Sequence, residues 1–216
     1  MLTNQQAAPS PPILDGFDPF SVEQAAAIIQ GGGIVVIPTD TVYGIAAALD
    51  QPVALARIFR SKGRPDDRTL PILLAGAADV HRIAAPVPAR VGELMERFWP
   101  GSLTIVLPAL DGLPRQVVAS DGSAGVRVPA NATARHILNC CGGALAVTSA
   151  NRSGMPAAVD ATAAAAALGR GVDAVLDGGP APLGVASTIV RIAGNDLEIL
   201  RIGAIEPPAI WEAWGA

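Results

Sequence analysis

The chain has 216 residues, of which 50% are hydrophobic and 16% are charged, and its formal net charge is −4. This composition provides enough apolar side chains for the core of one domain, and it argues against a general nucleic-acid-binding protein, which is usually basic overall. No apolar run reaches the roughly 18–20 residues that a membrane-spanning helix needs. Residues 1–14 lack the features of a signal peptide, and adjacent Cys140 and Cys141 are poorly placed for a structural disulfide, so we expect a cytoplasmic protein.

Helices and strands are predicted to alternate along the chain. In chain order, hydrophobic periodicity and breaker residues predict a helix at 21–33, a strand at 33–40, a helix at 52–63, a strand at 70–76, a helix at 88–98, strands at 102–109 and 125–130, a helix at 131–143, a strand at 144–150, a helix at 160–171, and strands at 173–179, 187–193 and 197–203. Ser21, with Gln24 three residues later, is a candidate cap for the first helix, and Asn131 is a candidate cap for the fourth.

This alternation is typical of an α/β domain. The last two predicted strands are separated by AGND (193–196), whose turn residues favour a hairpin and therefore a mixed sheet. We predict one domain over residues 15–206, preceded by a disordered tail at 1–14 and followed by a C-terminal tail at 207–216.

Polar residues cluster where several predicted strands begin or end. They lie in PTDTVYG (38–44), TSANRSG (148–154) and GVASTIV (184–190). Taken singly, each segment is also explained as an ordinary strand end or turn, since Asp40, for example, can form an Asx-turn. Ligands of open α/β sheets bind outside strand ends, so the three segments together indicate a site for carboxylate or phosphate oxygens.

Lys62, in SKGRPDDR (61–68), is the only lysine of the chain. An ammonium group is a compact point charge that suits a phosphate cluster, whereas the alternative is a solvated surface loop. The sequence has no P-loop pattern, no metal-ligand spacing and no pairing of cysteine with histidine. A nucleotide site in this chain would therefore be built in another way.

Six segments, taken together, resemble those of one known family. In chain order they are PTDTVYG, KGRP (62–65), WPGSLTIVL (99–107), GVRVPA (125–130), TSANRSG and LGVASTIV (183–190). Over about residues 20–205 the chain resembles the YrdC/Sua5 family, the L-threonylcarbamoyladenylate synthases, in its short single-domain form. The resemblance implies a twisted, mixed sheet flanked by helices, with a concave cationic cleft.

The resemblance also implies a reaction. L-Threonine, bicarbonate (or CO2) and ATP, with Mg2+ on the ATP phosphates, give L-threonylcarbamoyl-AMP and pyrophosphate. This is the first step of the t6A modification at adenosine 37 of tRNA, which other proteins complete downstream.

Site residues follow from the resemblance, position by position. Lys62 and Arg64 are implied as the triphosphate-binding pair on which catalysis depends, and we expect either residue, when replaced with alanine, to lose most activity in a folded protein. The other implied ATP ligands are Arg68, Ser149, Asn151 and Arg201. The implied L-threonine ligands are Thr41, Arg127, Val147 and Ser187. No protein ligand for a metal is implied.

Two alternatives remain open at this point. A non-catalytic RNA-binding module of the same fold could use the local cations Arg57, Arg60, Lys62, Arg64 and Arg68, although the acidic balance and the 4% aromatic content disfavour it. A carbamoyl-transfer enzyme related to hydrogenase maturation is disfavoured by the short length and by the lack of zinc-finger segments.

Overall fold

The computed structural model describes residues 10–63, 68–84, 87–194 and 196–215. The strands are β1 (Ile13–Asp15), β2 (Val35–Ile37), β3 (Gly44–Ala48), β4 (Ile72–Leu74), β5 (Leu103–Pro108), β6 (Ser123–Arg127), β7 (Ala144–Ser149), β8 (Ala174–Asp177), β9 (Thr188–Ala193) and β10 (Asp196–Arg201). The α-helices are α1 (Pro19–Gln30), α2 (Pro52–Lys62), α3 (Ala89–Phe98), α4 (Ala132–Cys140), α5 (Ala161–Leu168) and α6 (Pro207–Trp214). Each predicted helix and strand is present with its ends displaced by a few residues, and β1, β3 and α6 are additional.

The strands form one mixed sheet in the order β1-β8-β2-β3-β7-β4-β6-β5-β9-β10. Both β1 and β2 pair in parallel with β8, and two further parallel pairs join β4 to β6 and β5 to β9. The remaining neighbours are antiparallel, including the hairpin of β9 and β10 that AGND predicts. The predicted α/β class with a mixed sheet is confirmed.

The observed helix ends agree with those predicted from the sequence at α2 and α4 and differ at α1. The Asn131 side chain accepts a hydrogen bond from the amide of Ala134 at 2.8 Å, and α2 ends at Gly63 in the left-handed conformation (φ 59°). Ser21, in contrast, is not the cap of α1: Asp18 caps it, and Ser21 Oγ donates to Asp18 Oδ2 at 2.8 Å. Among the described residues, no helix combines the length and apolar character that crossing a bilayer requires.

The two faces of the sheet are covered to different extents. Successive strand residues point to opposite faces, so the core divides into two buried clusters. One cluster packs the sheet against α2, α3, α5 and α6, through residues such as Leu55 and Leu94. The other packs it against α1 and α4, through residues such as Ile29 and Leu138, and includes no described residue of β5, β6, β9 or β10. On the second face, α1 and α4 therefore leave β5, β6, β9 and β10 uncovered.

The ordered domain is wider than the predicted residues 15–206. Residues 1–9 lie outside the described part, but β1 begins at Ile13 and pairs with β8. The expected C-terminal tail is helix α6, whose Ile210 and Trp214 are buried in the core. The guanidinium group of Arg90 lies 4.8 Å from the Trp214 ring centroid and donates to the Trp214 carbonyl at 2.7 Å, which joins α6 to α3.

Replacing Trp214 with alanine is therefore expected to lower the free energy of unfolding by about 3–5 kcal/mol, because a large buried ring is removed from a packed site. The matched control is Trp211→Ala on the same helix, where the side chain is 37% exposed and the expected loss is about 1 kcal/mol or less. Urea titration of both variants measures the difference. Equal losses would contradict the docking of α6 through Trp214.

Candidate functional site

A cavity of about 540 Å3 lies over the part of the sheet that α1 and α4 leave uncovered. Its floor consists of strand residues that alternate with core residues: Thr104 and Val106 line the cavity, while Leu103 and Ile105 are buried on the opposite face. The other floor residues are Leu73 of β4, Gly125 and Arg127 of β6, Val147 of β7, and Ile189 and Arg191 of β9. The strands that build the core therefore also position the side chains of the cavity.

The structure brings nearly all of the sequence-predicted site residues to this one cavity. Those lining it are Thr41, Lys62, Arg68, Arg127, Val147, Ser149, Asn151, Ser187 and Arg201. Arg64 lies outside the described residues. The described lining includes basic side chains and hydroxyl groups but no carboxylate, which is a donor-rich surface suited to anionic ligands.

Within the cavity, the buried guanidinium group of Arg127 donates three hydrogen bonds, an arrangement called here the Arg127 fork. Its Nε donates to the carbonyl of Gly101 at 2.7 Å, one terminal nitrogen donates to Thr41 Oγ1 at 2.8 Å, and the other donates to Asp40 Oδ1. Arg127 is 5% exposed and Asp40 is 4% exposed. Burial lowers the pKa of Arg127, and the Asp40 carboxylate opposes that shift.

The turn that carries Thr41 is fixed by the neighbouring Thr39. The Thr39 hydroxyl accepts from the amides of Thr41 and Val42 at 3.2 and 3.3 Å and donates to the carbonyl of Val42 at 2.6 Å. Because the turn is closed by this side chain, Thr41 Oγ1 is directed to Arg127. In place of the Asx-turn that was one explanation for Asp40, Thr39 closes the turn and Asp40 forms an ion pair with Arg127.

Lys62 is buried beneath the segment that follows β7. Its Nζ donates to the carbonyl of Ser149, to the carbonyl of Asn151 at 2.9 Å and to Asn151 Oδ1 at 3.0 Å. In return, the amide of Ser153 donates to the carbonyl of Lys62 at 2.8 Å. The lysine, 4% exposed, thus ties the end of α2 to residues 149–153.

A third group of polar residues joins β5, β9 and β10. Arg201 donates to the carbonyl of Ser187 through Nε at 3.1 Å and through a terminal nitrogen at 2.8 Å, and Ser187 Oγ lies 2.8 Å from Thr104 Oγ1. A Cβ at Gly203 would collide with the backbone of Ala186 and Ser187, so glycine permits this close approach. Burial lowers the pKa of Arg201, and no carboxylate of the described residues forms an ion pair with it.

Sequence reasoning missed three residues of this region. Thr104 is the one polar residue within the apolar strand β5, and a polar residue in such a strand is the feature that could have identified it. Arg191 lines the cavity and pairs with Asp121 at 3.4 Å, but nothing in its segment distinguished it. Asp40 was read only as a turn former, because a buried partner such as Arg127 cannot be identified from separation along the chain.

The described residues contain no group of three or more histidine, cysteine, aspartate or glutamate side chains placed to hold a metal ion. The predicted concave cationic cleft stays a prediction, and what the structure provides is the cavity with the lining described above.

Comparison with known proteins gives concordant results. The family model for Sua5, YciO and YrdC, described as "Telomere recombination", matches residues 27–203. A putative threonylcarbamoyl-AMP synthase of Mycobacterium leprae is 37% identical over 194 residues, which are 90% of this chain and 88% of the relative. The threonylcarbamoyl-AMP synthase of Bacillus subtilis is 35% identical over 85% of this chain and 54% of the relative.

Among solved structures, Sua5 of Pyrococcus abyssi in complex with L-threonine superposes with a TM-score of 0.87 at 34% identity, over 91% of this chain and 58% of that one. The chain thus spans somewhat more than half the length of the B. subtilis and P. abyssi proteins and most of the M. leprae protein. The family model, the relatives and the fold agree, and this chain belongs to the Sua5/YciO/YrdC family.

Proposed function

We propose that this protein synthesises L-threonylcarbamoyl-AMP from L-threonine, bicarbonate (or CO2) and ATP, with release of pyrophosphate. Its relatives are named for this activity, and one of them was solved with L-threonine bound. The observation that carries the proposal is the Arg127 fork beside the Thr41 hydroxyl, in the same cavity as Lys62, Asn151 and Arg201. One cavity thus offers groups for an amino-acid carboxylate and for a triphosphate.

The chemistry fits a site without a dedicated base. The threonine amine adds to CO2 and loses a proton, which gives an anionic carbamate. A carbamate oxygen then attacks the α-phosphorus of ATP, the new P–O bond forms, and the bond from the α-phosphorus to the bridging oxygen of the β-phosphate breaks. The protein needs to hold two anions together and to stabilise the charge of the departing pyrophosphate.

Arg127 is suited to the carboxylate of L-threonine. A guanidinium group has five N–H donors, and the contacts to Gly101, Thr41 and Asp40 use three of them. One donor remains on each terminal nitrogen, and we assign these two donors to the carboxylate, which arginine binds preferentially in a bidentate geometry. In this proposal Val147 and Ser187 complete the amino-acid pocket, and both line the same cavity.

The nucleotide end is assigned to Lys62, Arg64, Arg68, Ser149, Asn151 and Arg201. Arg201 supports this assignment most directly, because it lines the cavity and its described partners are the neutral oxygens of Ser187. A phosphate oxygen would supply the missing negative charge. Lys62 reaches the nucleotide either by exchanging one of its three described acceptors or by holding Ser149 and Asn151 in place.

Mg2+ enters this proposal as part of the Mg·ATP substrate. The lining contains no carboxylate among the described residues, and we assign the triphosphate oxygens as the ligands for the ion.

The cellular setting follows from the same reaction. Other proteins would transfer the threonylcarbamoyl group to tRNA, and ATP and tRNA are both present in the cytoplasm, where we place this protein. The RNA-binding alternative has less support, because two of its expected cations are engaged: Arg57 forms a bidentate pair with Asp173 at 2.9 Å, and Lys62 is buried.

The test is pyrophosphate release by the purified protein with Mg·ATP, with L-threonine and bicarbonate omitted in turn. We expect release only when both are present, together with a product that has the mass of threonylcarbamoyl-AMP. Release with L-threonine alone would indicate an aminoacyl adenylate instead. An absence of release with intact ATP binding would overturn the proposal and favour a binding role.

A further inference from the structure

Asp40 contacts the cavity indirectly, through Arg127. It is 4% exposed and does not line the cavity itself. Its Oδ1 accepts from a terminal nitrogen of Arg127 and from the amide of Ala130 at 3.0 Å, while its carbonyl accepts from the amide of Leu183 at 3.1 Å. The carboxylate is therefore held through Oδ1 by β6 and the segment after it, while the backbone of Asp40 is held by the segment before β9.

The orientation of Arg127 depends on acceptors from separate parts of the chain. Gly101 follows α3, and Asp40 and Thr41 follow β2. Of these acceptors only Asp40 is charged, and no other described carboxylate forms an ion pair with Arg127. A buried guanidinium group without a counter-ion is costly, so a neutral residue at position 40 would favour movement of the arginine out of this geometry.

We propose that Asp40 is a positioning residue for L-threonine binding, which acts by holding the Arg127 fork with two N–H donors free for the carboxylate of the amino acid. This inference rests on the proposed function, because it assigns a new residue to the amino-acid end of that site. It concerns L-threonine and leaves the affinity for ATP unchanged.

A competing electrostatic effect makes the inference testable. The Asp40 carboxylate repels a bound carboxylate, and removing its charge would strengthen the attraction between Arg127 and L-threonine if the guanidinium group stayed in place. Orientation and charge thus predict opposite changes in the dissociation constant for L-threonine. We infer that orientation dominates, because the fork supplies directional hydrogen bonds at a fixed position.

The chain contains a second aspartate–arginine pair that serves as a control, although it is more exposed than the pair of Asp40 and Arg127. Asp173 also pairs with an arginine, Arg57, through two contacts of 2.9 Å, and also accepts from a backbone amide, that of Ile34 at 2.7 Å. Neither Asp173 nor Arg57 lines the cavity. An aspartate-to-asparagine change at 173 therefore reproduces the loss of a structural ion pair without altering the fork.

The experiment measures the dissociation constants for L-threonine and for ATP by calorimetry, at a temperature where each variant is folded. We expect Asp40→Asn to weaken L-threonine binding about tenfold or more and to change ATP binding less than about twofold. Asp173→Asn is expected to leave both constants unchanged. Asp40→Glu keeps a counter-ion for Arg127 and should therefore remain folded. Its additional methylene group shifts the carboxylate at this buried position, so L-threonine binding should still weaken.

Each outcome has one interpretation. A folded Asp40→Asn or Asp40→Glu variant that binds L-threonine as tightly as the natural protein, or more tightly, would overturn the inference. Equal weakening of L-threonine binding and ATP binding would show that Asp40 has only a structural role, and it would also overturn the inference. If Asp40→Asn does not fold, Asp40→Glu decides. Failure of the unaltered protein to bind L-threonine would instead count against the proposed function.

Discussion

Replacing Arg127 with alanine is expected to lower threonine-dependent pyrophosphate release about 100-fold or more. The change removes two charge-assisted hydrogen bonds to the carboxylate, each of which contributes about 1.5–3 kcal/mol. It also leaves the Asp40 carboxylate buried without its partner. Breaking such a pair costs about 3–5 kcal/mol, so we expect the free energy of unfolding to fall as well.

The loss of binding and the loss of stability can be separated with a double variant. Arg127→Met together with Asp40→Asn removes both charges and keeps similar volumes, so stability should recover relative to Arg127→Ala. Activity should not recover, because the fork is still absent. Steady-state kinetics and urea titration of both variants provide the measurement, and a double variant that regains threonine-dependent turnover would exclude Arg127 from the amino-acid site.

Replacing Lys62 with alanine is expected to lower pyrophosphate release roughly 100-fold while the protein remains folded. The ammonium group donates to the carbonyls of Ser149 and Asn151 and to Asn151 Oδ1. Each of these charge-assisted hydrogen bonds stabilises the conformation of this segment by about 1.5–3 kcal/mol, which the alanine variant loses. Because Ser149 and Asn151 are assigned to the nucleotide, the KM for ATP should rise more than the KM for L-threonine.

The control for this change is Arg60→Ala, which removes a positive charge from an exposed position of the same helix. It is expected to alter turnover less than about twofold. Hydrogen exchange of residues 149–155 should increase in Lys62→Ala and not in Arg60→Ala. Turnover like that of the natural protein in Lys62→Ala would remove Lys62 from the site altogether.

The sequence predicted most elements of the fold because their signals are local. Asn131 and Gly63 mark helix ends through side-chain capping and the left-handed conformation, which depend on the residue itself. Strand β3 was missed because GIAAA has one β-branched residue, and its strand conformation comes from pairing with β2 and β7 on either side. Helix α6 was missed for a similar reason, since its stability comes from packing on α3.

The sequence predicted which residues line the site better than it predicted the contacts that those residues make. The resemblance named residues that the fold brings to one cavity, although their roles stay predictions. It did not indicate that Lys62 points to Ser149 and Asn151, because an isolated lysine has the same appearance in a sequence whether it is buried or solvated. Asp40 was equally hidden, since its function depends on contact with Arg127, 87 residues away.

Core and cavity residues alternate along β5 and along β6, and this alternation limits which insertions and deletions the sequence tolerates. In β5, inserting or deleting a single residue would move Leu103 or Ile105 into the cavity and Thr104 into the core. In β6, the same event would bury Gly125 and Arg127 among apolar side chains and expose Val126. Changes of ligand preference must therefore arise by substitution at alternate strand positions, and added length must go into the connections between strands. A mutant library designed to alter the amino-acid substrate should therefore substitute residues at the cavity-facing strand positions and vary the chain length only in the connections.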